Sequence, residues 1–290
     1  MAEITTHIFF SIDIQNKIKS SSSIKLFSLG PDVFYFSKKT YSIAYKMHRK
    51  NTLLFFKNYI KYIKDNKLEN NDYVVGSLYG FLTHYVLDYM VHPYIFYKGG
   101  LNNGMHRVYE MSLTKYVLNE HGINPVKYKI SEYINTNENE DVIKLLDYVL
   151  YKTYGVSSGG KLYYKCVKRV KRTYMLFRYD RFGIKKFFYK IIDLFYKKKL
   201  SSASYYNIED VSFNLEHNTW YHPCSYKKSN KSLLDLYSES YKIIYKVIKN
   251  VNLVLNNKKD IDELDNIIEN RSLINGLDSN ERHVMKYFEK

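Results

Sequence analysis

Gly80-Phe81-Leu82-Thr83-His84-Tyr85-Val86-Leu87-Asp88-Tyr89-Met90-Val91-His92-Pro93 is the stretch on which the reading of this chain turns. His84, Asp88 and His92 recur at steps of four. A helix turns once per about 3.6 residues, so steps of four keep all three side chains on one face. The residues between them (Tyr85, Val86, Leu87, Tyr89, Met90 and Val91) are apolar or aromatic. A helix this apolar belongs in the interior, where an imidazole–carboxylate stripe has to be neutralised and satisfied. A metal ion does that directly. Mutual hydrogen bonding would explain a lone buried histidine, but further candidates lie nearby and shift the balance to metal.

Working outward, His106 and Glu110 repeat the same spacing after the glycine-rich Gly99–Gly104 loop. Imidazole combined with carboxylate suits zinc and its borderline neighbours, with manganese or iron as alternatives. Upstream, Gly30-Pro31 turns the chain and presents Asp32, Met47-His48-Arg49 adds an imidazole, and His7 opens an apolar run. Five of the nine histidines join three carboxylates in this set, enough for two sites of three or four ligands.

The ordered series His7, Asp32, His48, His84-x3-Asp88, His92 and His106-x3-Glu110 resembles the zinc-dependent phospholipase C family and its single-strand nuclease relatives. The resemblance covers roughly the first 110 residues. It implies an all-α fold, a single bundle-like domain over residues 1–290 with the metal cluster in its helical core, and phosphoester hydrolysis by two or three zinc ions. One metal would take Asp32, His48, His84 and Asp88; a second His92, His106 and Glu110; a third His7, with Asp88 bridging. Asp32 and Asp88 are the residues expected to take part in catalysis, Asp32 as proton acceptor. A phospholipid is the favoured substrate and nucleic acid the alternative; a non-catalytic, metal-stabilised module is the reading from a different class.

Two departures from the family pattern carry expectations. Secreted members complete the third site with a processed N-terminal tryptophan, whereas the only tryptophan here is Trp220 and six residues precede His7. His217 and His222 stand as reserve ligands for that site. The gap from Asp88 to His92 is also short, and Pro93 should place His92 at a frayed helix end, tilted toward a different metal.

The remaining chain reads as helices. Thr5 caps a helix to Ile18, a serine connector spans 20–23, a long helix runs from Thr40 to Lys64, and Asn70-Asn71-Asp72 caps the central helix over Tyr73–Val91. His121-Gly122 ends the Glu110 helix, making His121 a helix-end cation rather than a ligand. Ser201–Ser229 is irregular, Trp220 anchors it to the core, Ser232–Leu255 is a helix, and Asp260–Lys290 is a polar helical tail. The metal motifs occupy 1–125, a basic segment 160–200, and the C-terminal helices 230–290. No nucleotide-binding glycine motif, zinc-finger cysteine pair or transmembrane run occurs, and Cys166 and Cys224 are too few for a disulfide framework. The expectation is a cytoplasmic protein.

Charge is lopsided. Fourteen basic residues between Lys161 and Lys199 face only Asp180 and Asp193, so this segment carries +12 of the formal +16. Aromatic and aliphatic residues interleave with them. Such a basic amphipathic pair suits an anionic membrane surface or nucleic-acid phosphates, against the plainer alternative of a solvated face.

Overall fold

The computed structural model describes residues 3–20, 23–101, 103–196 and 199–289. In chain order the helices are α1 (Ile4–Ile18), α2 (Ser23–Phe27), α3 (Tyr41–Arg49), α4 (Thr52–Asp65), α5 (Asp72–Gly99), α6 (Asn103–Glu120), α7 (Glu140–Tyr154), α8 (Gly159–Phe177), α9 (Ile184–Tyr196) and α10 (Leu233–Leu255). Short 3-10 helices cover Gly30–Phe36 and Ile261–Asn266. The fold is all-α apart from a two-stranded antiparallel ribbon, β1 (Trp220–Tyr221) with β2 (Lys228–Ser229).

The apolar run quoted at the outset lies in α5, which is about 42 Å long at 1.5 Å per residue. The Asn71 side chain accepts from the Tyr73 and Val74 amides and starts the helix. Every residue from Val74 to Asp88 is buried. Helices α1, α2, α4, α6, α7 and α10 pack around it. A helix apolar on all sides can bury itself only by having neighbours on all sides.

Five sequence expectations are corrected. First, α5 does not end at Val91 but continues through Pro93 to Gly99, so His92 is not at a frayed end. Proline gives Tyr89 no amide partner, and the Gly276 backbone lies against that carbonyl instead. A Cβ at Gly276, where φ is +67°, would stand 2.7 Å from the Tyr89 oxygen. Second, the long helix expected over 40–64 breaks in two. Lys50 is extended and Asn51 is left-handed (φ 55°), a conformation asparagine tolerates better than most residues. The break exposes the His48 carbonyl, which accepts from the Leu273 amide (2.9 Å) and the Ser272 hydroxyl (3.1 Å).

Third, those same contacts explain why 260–289 is not a helical tail. Past Asn266 the chain runs irregularly along the bundle, with Ile268 and Leu273 buried and an isolated bridge between Arg271 and Asp278. Its backbone groups bond to other elements, so they cannot close a helical ladder. Fourth, Glu3 caps α1 rather than Thr5, its carboxylate accepting from the Thr5 amide. Fifth, Ser23 belongs to α2 rather than to a connector; Ser21 and Ser22 lie outside the described residues. Trp220 anchors its ribbon as expected, donating to the Lys231 carbonyl and packing 5.4 Å from Tyr94. Among the described residues no helix is long and apolar enough to cross a membrane.

Candidate metal centre

Five elements bring the eight predicted ligands together: α1 carries His7, the 3-10 helix after Gly30 carries Asp32, and α3 carries His48. His84, Asp88 and His92 come from α5, and His106 and Glu110 from α6 as the fifth contributor. Gly30 is what lets the turn before Asp32 lie on the His84 ring. A Cβ there would fall 2.3 Å from His84 Cγ, and the residue has φ +53°.

Asp32, His48, His84 and Asp88 form one cluster whose donor atoms all lie within 4.8 Å of one another; His92, His106 and Glu110 form a second. Asp88 joins them. Its Oδ2 is 3.2 Å from His84 Nε2 and 3.9 Å from His48 Nε2, while its Oδ1 is 3.6 Å from His92 Nε2. The same Oδ1 lies 3.2 Å from His7 Nε2. His7 is not grouped with either cluster, but its ring stacks on His84 at 3.9 Å. Asp32 Oδ1 approaches His48 Nε2 at 3.0 Å, and Glu110 Oε1 approaches His106 Nε2 at 2.9 Å and His92 Nε2 at 3.9 Å.

The outer ring nitrogens identify what the inner ones need. His48 Nδ1 donates to the Ala44 carbonyl (2.7 Å), His84 Nδ1 to the Ser28 carbonyl (2.9 Å), and His92 Nδ1 to the Leu273 carbonyl (2.5 Å). A carbonyl only accepts, so each Nδ1 carries a proton, and each ring turns its Nε2 inward, where a lone pair is free to ligate whenever that nitrogen is unprotonated. Those lone pairs face carboxylate oxygens. Nε2 of His7, His84 and His92 makes no hydrogen bond, and acceptor against acceptor is unstable, so positive charge belongs between them, as an added proton or, with this many ligands converging, a metal ion. Carbonyl-bonded Nδ1 with inward Nε2 is also how metal-bound histidines are oriented. The donor set therefore fits zinc.

Electrostatics agree. Burial pushes the imidazolium form of His7 and His48 down, and pushes His106 down to about 4. Burial opposes the charge on His84 too, but the Asp88 carboxylate raises it on balance. Asp88, against the cost of burial, is held well below the usual carboxylate range by His92, His84 and His7. Burial thus favours the neutral, ligating form of His7, His48 and His106, with His84 the exception.

The centre is closed on most sides. His7, His48, His84, Asp88 and His92 are fully buried, whereas His106 and Glu110 retain 8% exposure each, so solvent reaches the site from the α6 side. Phe96 packs 4.4 Å from the His106 ring and also lines a cavity of about 710 Å³. Cations Arg49 and Arg282 line that cavity, and the C-terminal segment forms one of its walls.

The reserve ligands do not reach the centre. His217 is exposed beside the Asn230 carbonyl, and His222 donates to the Asn275 carbonyl (2.8 Å), so both hold loops. His121 sits at the end of α6, bonded to the Val117 carbonyl and to Asp13. Sequence reasoning missed Glu3, whose buried carboxylate accepts from Thr114 and Tyr205 and lies 3.7 Å from Arg178 Nε. That network ties the start of α1, and so His7, to α6 and α8. An acidic residue just before a predicted helix was the available signal. The Ser28, Ala44 and Leu273 carbonyls left none, because any residue type supplies one.

A family model described as zinc-dependent phospholipase C matches residues 2–158, more than half of the chain and all eight ligand positions. No curated protein and no solved structure matches.

Proposed function

The chain belongs to the zinc-dependent phospholipase C family, and we propose that it hydrolyses a phosphoester at this centre, with a phospholipid as the favoured substrate. The observation that carries the reading is Asp88, fully buried, with one carboxylate oxygen turned to each ligand cluster. A structural site needs a single metal; a carboxylate shared between two clusters suits a multi-metal hydrolytic centre.

Zinc bound there would supply Lewis acidity toward phosphate oxygens and would lower the pKa of a water at neutral pH. The protein's own groups do the rest. Asp88 fixes the two clusters relative to each other. Asp32, against His48 and beside His84, would accept the proton of the attacking water. Carbonyls of Ala44, Ser28 and Leu273 keep three imidazoles in one tautomer and one orientation. Arg49 and Arg282 in the adjoining cavity would attract and hold an anionic head group.

Purified protein should hold about two ions per chain, a third at lower occupancy, by elemental mass spectrometry. It should cleave a diacyl phospholipid, and chelator should abolish that cleavage. A chain that takes up no zinc would end the proposal. Chelator-sensitive cleavage of single-stranded nucleic acid with phospholipid untouched would instead move the substrate to the nuclease class.

A further inference from the structure

The two basic helices differ in which way they face. In α8 the apolar stripe of Tyr163, Tyr164, Val167, Val170 and Tyr174 is buried and the basic residues are outside, as a solvated helix requires. In α9 the arrangement is inverted. Its inward stripe is polar: Lys186 is the buried residue, donating to the Asn207 carbonyl, and Asp193 accepts from the Leu200 and Ser201 amides. Ile184, Phe187, Phe188, Ile191, Leu194 and Phe195 are all exposed, Leu194 at 81% and Phe195 at 79%. At 100° per residue these six occupy one arc of about 120° opposite Lys186. Leu176, Phe177 and Phe182, just before the helix, are exposed as well.

Charge sorts the same way. The two carboxylates of the segment turn inward: Asp180 is buried, bonded by the Lys186 amide and the Ser204 hydroxyl, and Asp193 caps the turn after α9. Arg181 just before the helix, Lys190 on it and Lys199 just after it are exposed around the apolar face; Lys197 and Lys198 lie outside the described residues. An outward apolar arc with a cationic rim, and with both carboxylates of the segment turned inward, matches the interface of an anionic bilayer, where rings enter the head-group layer and cations meet lipid phosphates. Nucleic acid would want the cations, not the phenylalanines, at the centre of the face.

Placement adds a reason. The 3-10 turn Leu200–Ala203 packs on both α9 and α6, which puts α9 beside the α6 side of the centre, where solvent enters. We propose that α9 is a docking helix that seats this side of the protein on an anionic membrane surface. The site would then face the layer that holds phosphodiester head groups. Docking itself does not rest on the hydrolytic reading, since it needs no metal.

The test is flotation of the full chain with phosphatidylcholine vesicles, with and without phosphatidylserine. The expected result is binding that depends on phosphatidylserine, weakens with salt, and survives chelation. Substituting Phe187→Ser, Phe188→Ser and Phe195→Ser together should weaken it by about tenfold or more. Arg181→Glu with Lys190→Glu should weaken it at low salt and matter less at high salt. Both variants should keep the parent's zinc content, since none of these side chains reaches the centre. The proposal is overturned if the parent ignores anionic vesicles, or if the phenylalanine variant floats as the parent does. It is equally overturned if the same face instead carries a dimer or a single-stranded oligonucleotide, read by sedimentation velocity and by oligonucleotide titration. Vesicle binding without any hydrolysis would leave docking standing and remove only the hydrolytic reading.

Discussion

Asp88 and Glu110 are both buried carboxylates on apolar helices, yet they differ in what they touch. Asp88 turns one oxygen toward each cluster, whereas Glu110 meets only His92 and His106. Asp88→Asn keeps the size and removes the charge, so it should lower metal occupancy in both clusters and cost at least about a hundredfold in activity. Glu110→Gln should deplete only the second cluster. Anomalous diffraction of zinc-soaked crystals of each variant compares the occupancies, and an Asp88→Asn protein that keeps all its metal and activity would remove Asp88 from the centre. Gly30 offers a second test. An alanine there meets the His84 ring and a left-handed backbone, at about 1–2 kcal/mol for the conformation and about 1–3 kcal/mol for the overlap. Urea unfolding that shifts by less than about 0.5 kcal/mol would mean that the turn does not lie on His84 as described. At this scale the site was largely legible, because imidazoles and carboxylates are visible as letters and their four-residue spacing survives folding unchanged. The carbonyls that aim them were not.

Elements were legible where one physical signal dominated and hidden where two competed. The apolar positions of α3 and α4 keep helical spacing across Lys50 and Asn51, so nothing in periodicity betrays the break. In α5 the local signal was read correctly and then outweighed, since Pro93 does strip a bond from Tyr89, but Gly276 covers the carbonyl and Leu273 fixes His92. The amphipathic pattern of α9 was visible too, yet a pattern shows that a helix has two faces and not which one turns outward. The loop over Pro93 makes its own prediction. In Gly276→Ala the new Cβ cannot sit 2.7 Å from the Tyr89 oxygen, so the loop must lift and draw the Leu273 carbonyl away from His92. The same loop holds the His48 carbonyl, but the His48 ring is aimed from within its own helix by Ala44 and should be disturbed less. Zinc affinity of the second cluster should fall by about tenfold while the first holds, as read by competition with a graded chelator. Equal loss from both clusters, or from neither, would refute the coupling.

Over the whole molecule the centre stores a pH dependence that metal normally masks. His7, His48 and His106 are kept neutral by burial, His106 down to about 4 against 6.5 when unfolded. A lowered folded pKa means the unfolded chain binds more protons in that interval, so stability is present above 6.5 and is lost as pH falls toward 4. For His106 alone the loss is about 3 kcal/mol at 1.36 kcal/mol per unit. Asp88 and Glu110, each held low against the cost of burial by the positive charge around it, add loss in the same direction as pH falls through the carboxylate range. His84 is raised and works the other way, losing its contribution as pH rises through its folded value. Three lowered histidines and two lowered carboxylates outweigh one raised histidine, so the net slope is set on the acid side. Chelated protein should therefore melt at steadily lower temperature from about pH 6.5 to pH 4, with its maximum near neutrality. Zinc should raise the melting temperature most near neutrality and progressively less toward pH 4, as protons displace it from the same nitrogens. The measurement is thermal unfolding across that range with and without chelator. A chelated protein whose melting temperature stays flat or climbs on acidification would show that these imidazoles are not buried neutral, and with that the argument for cations between the facing lone pairs would fall.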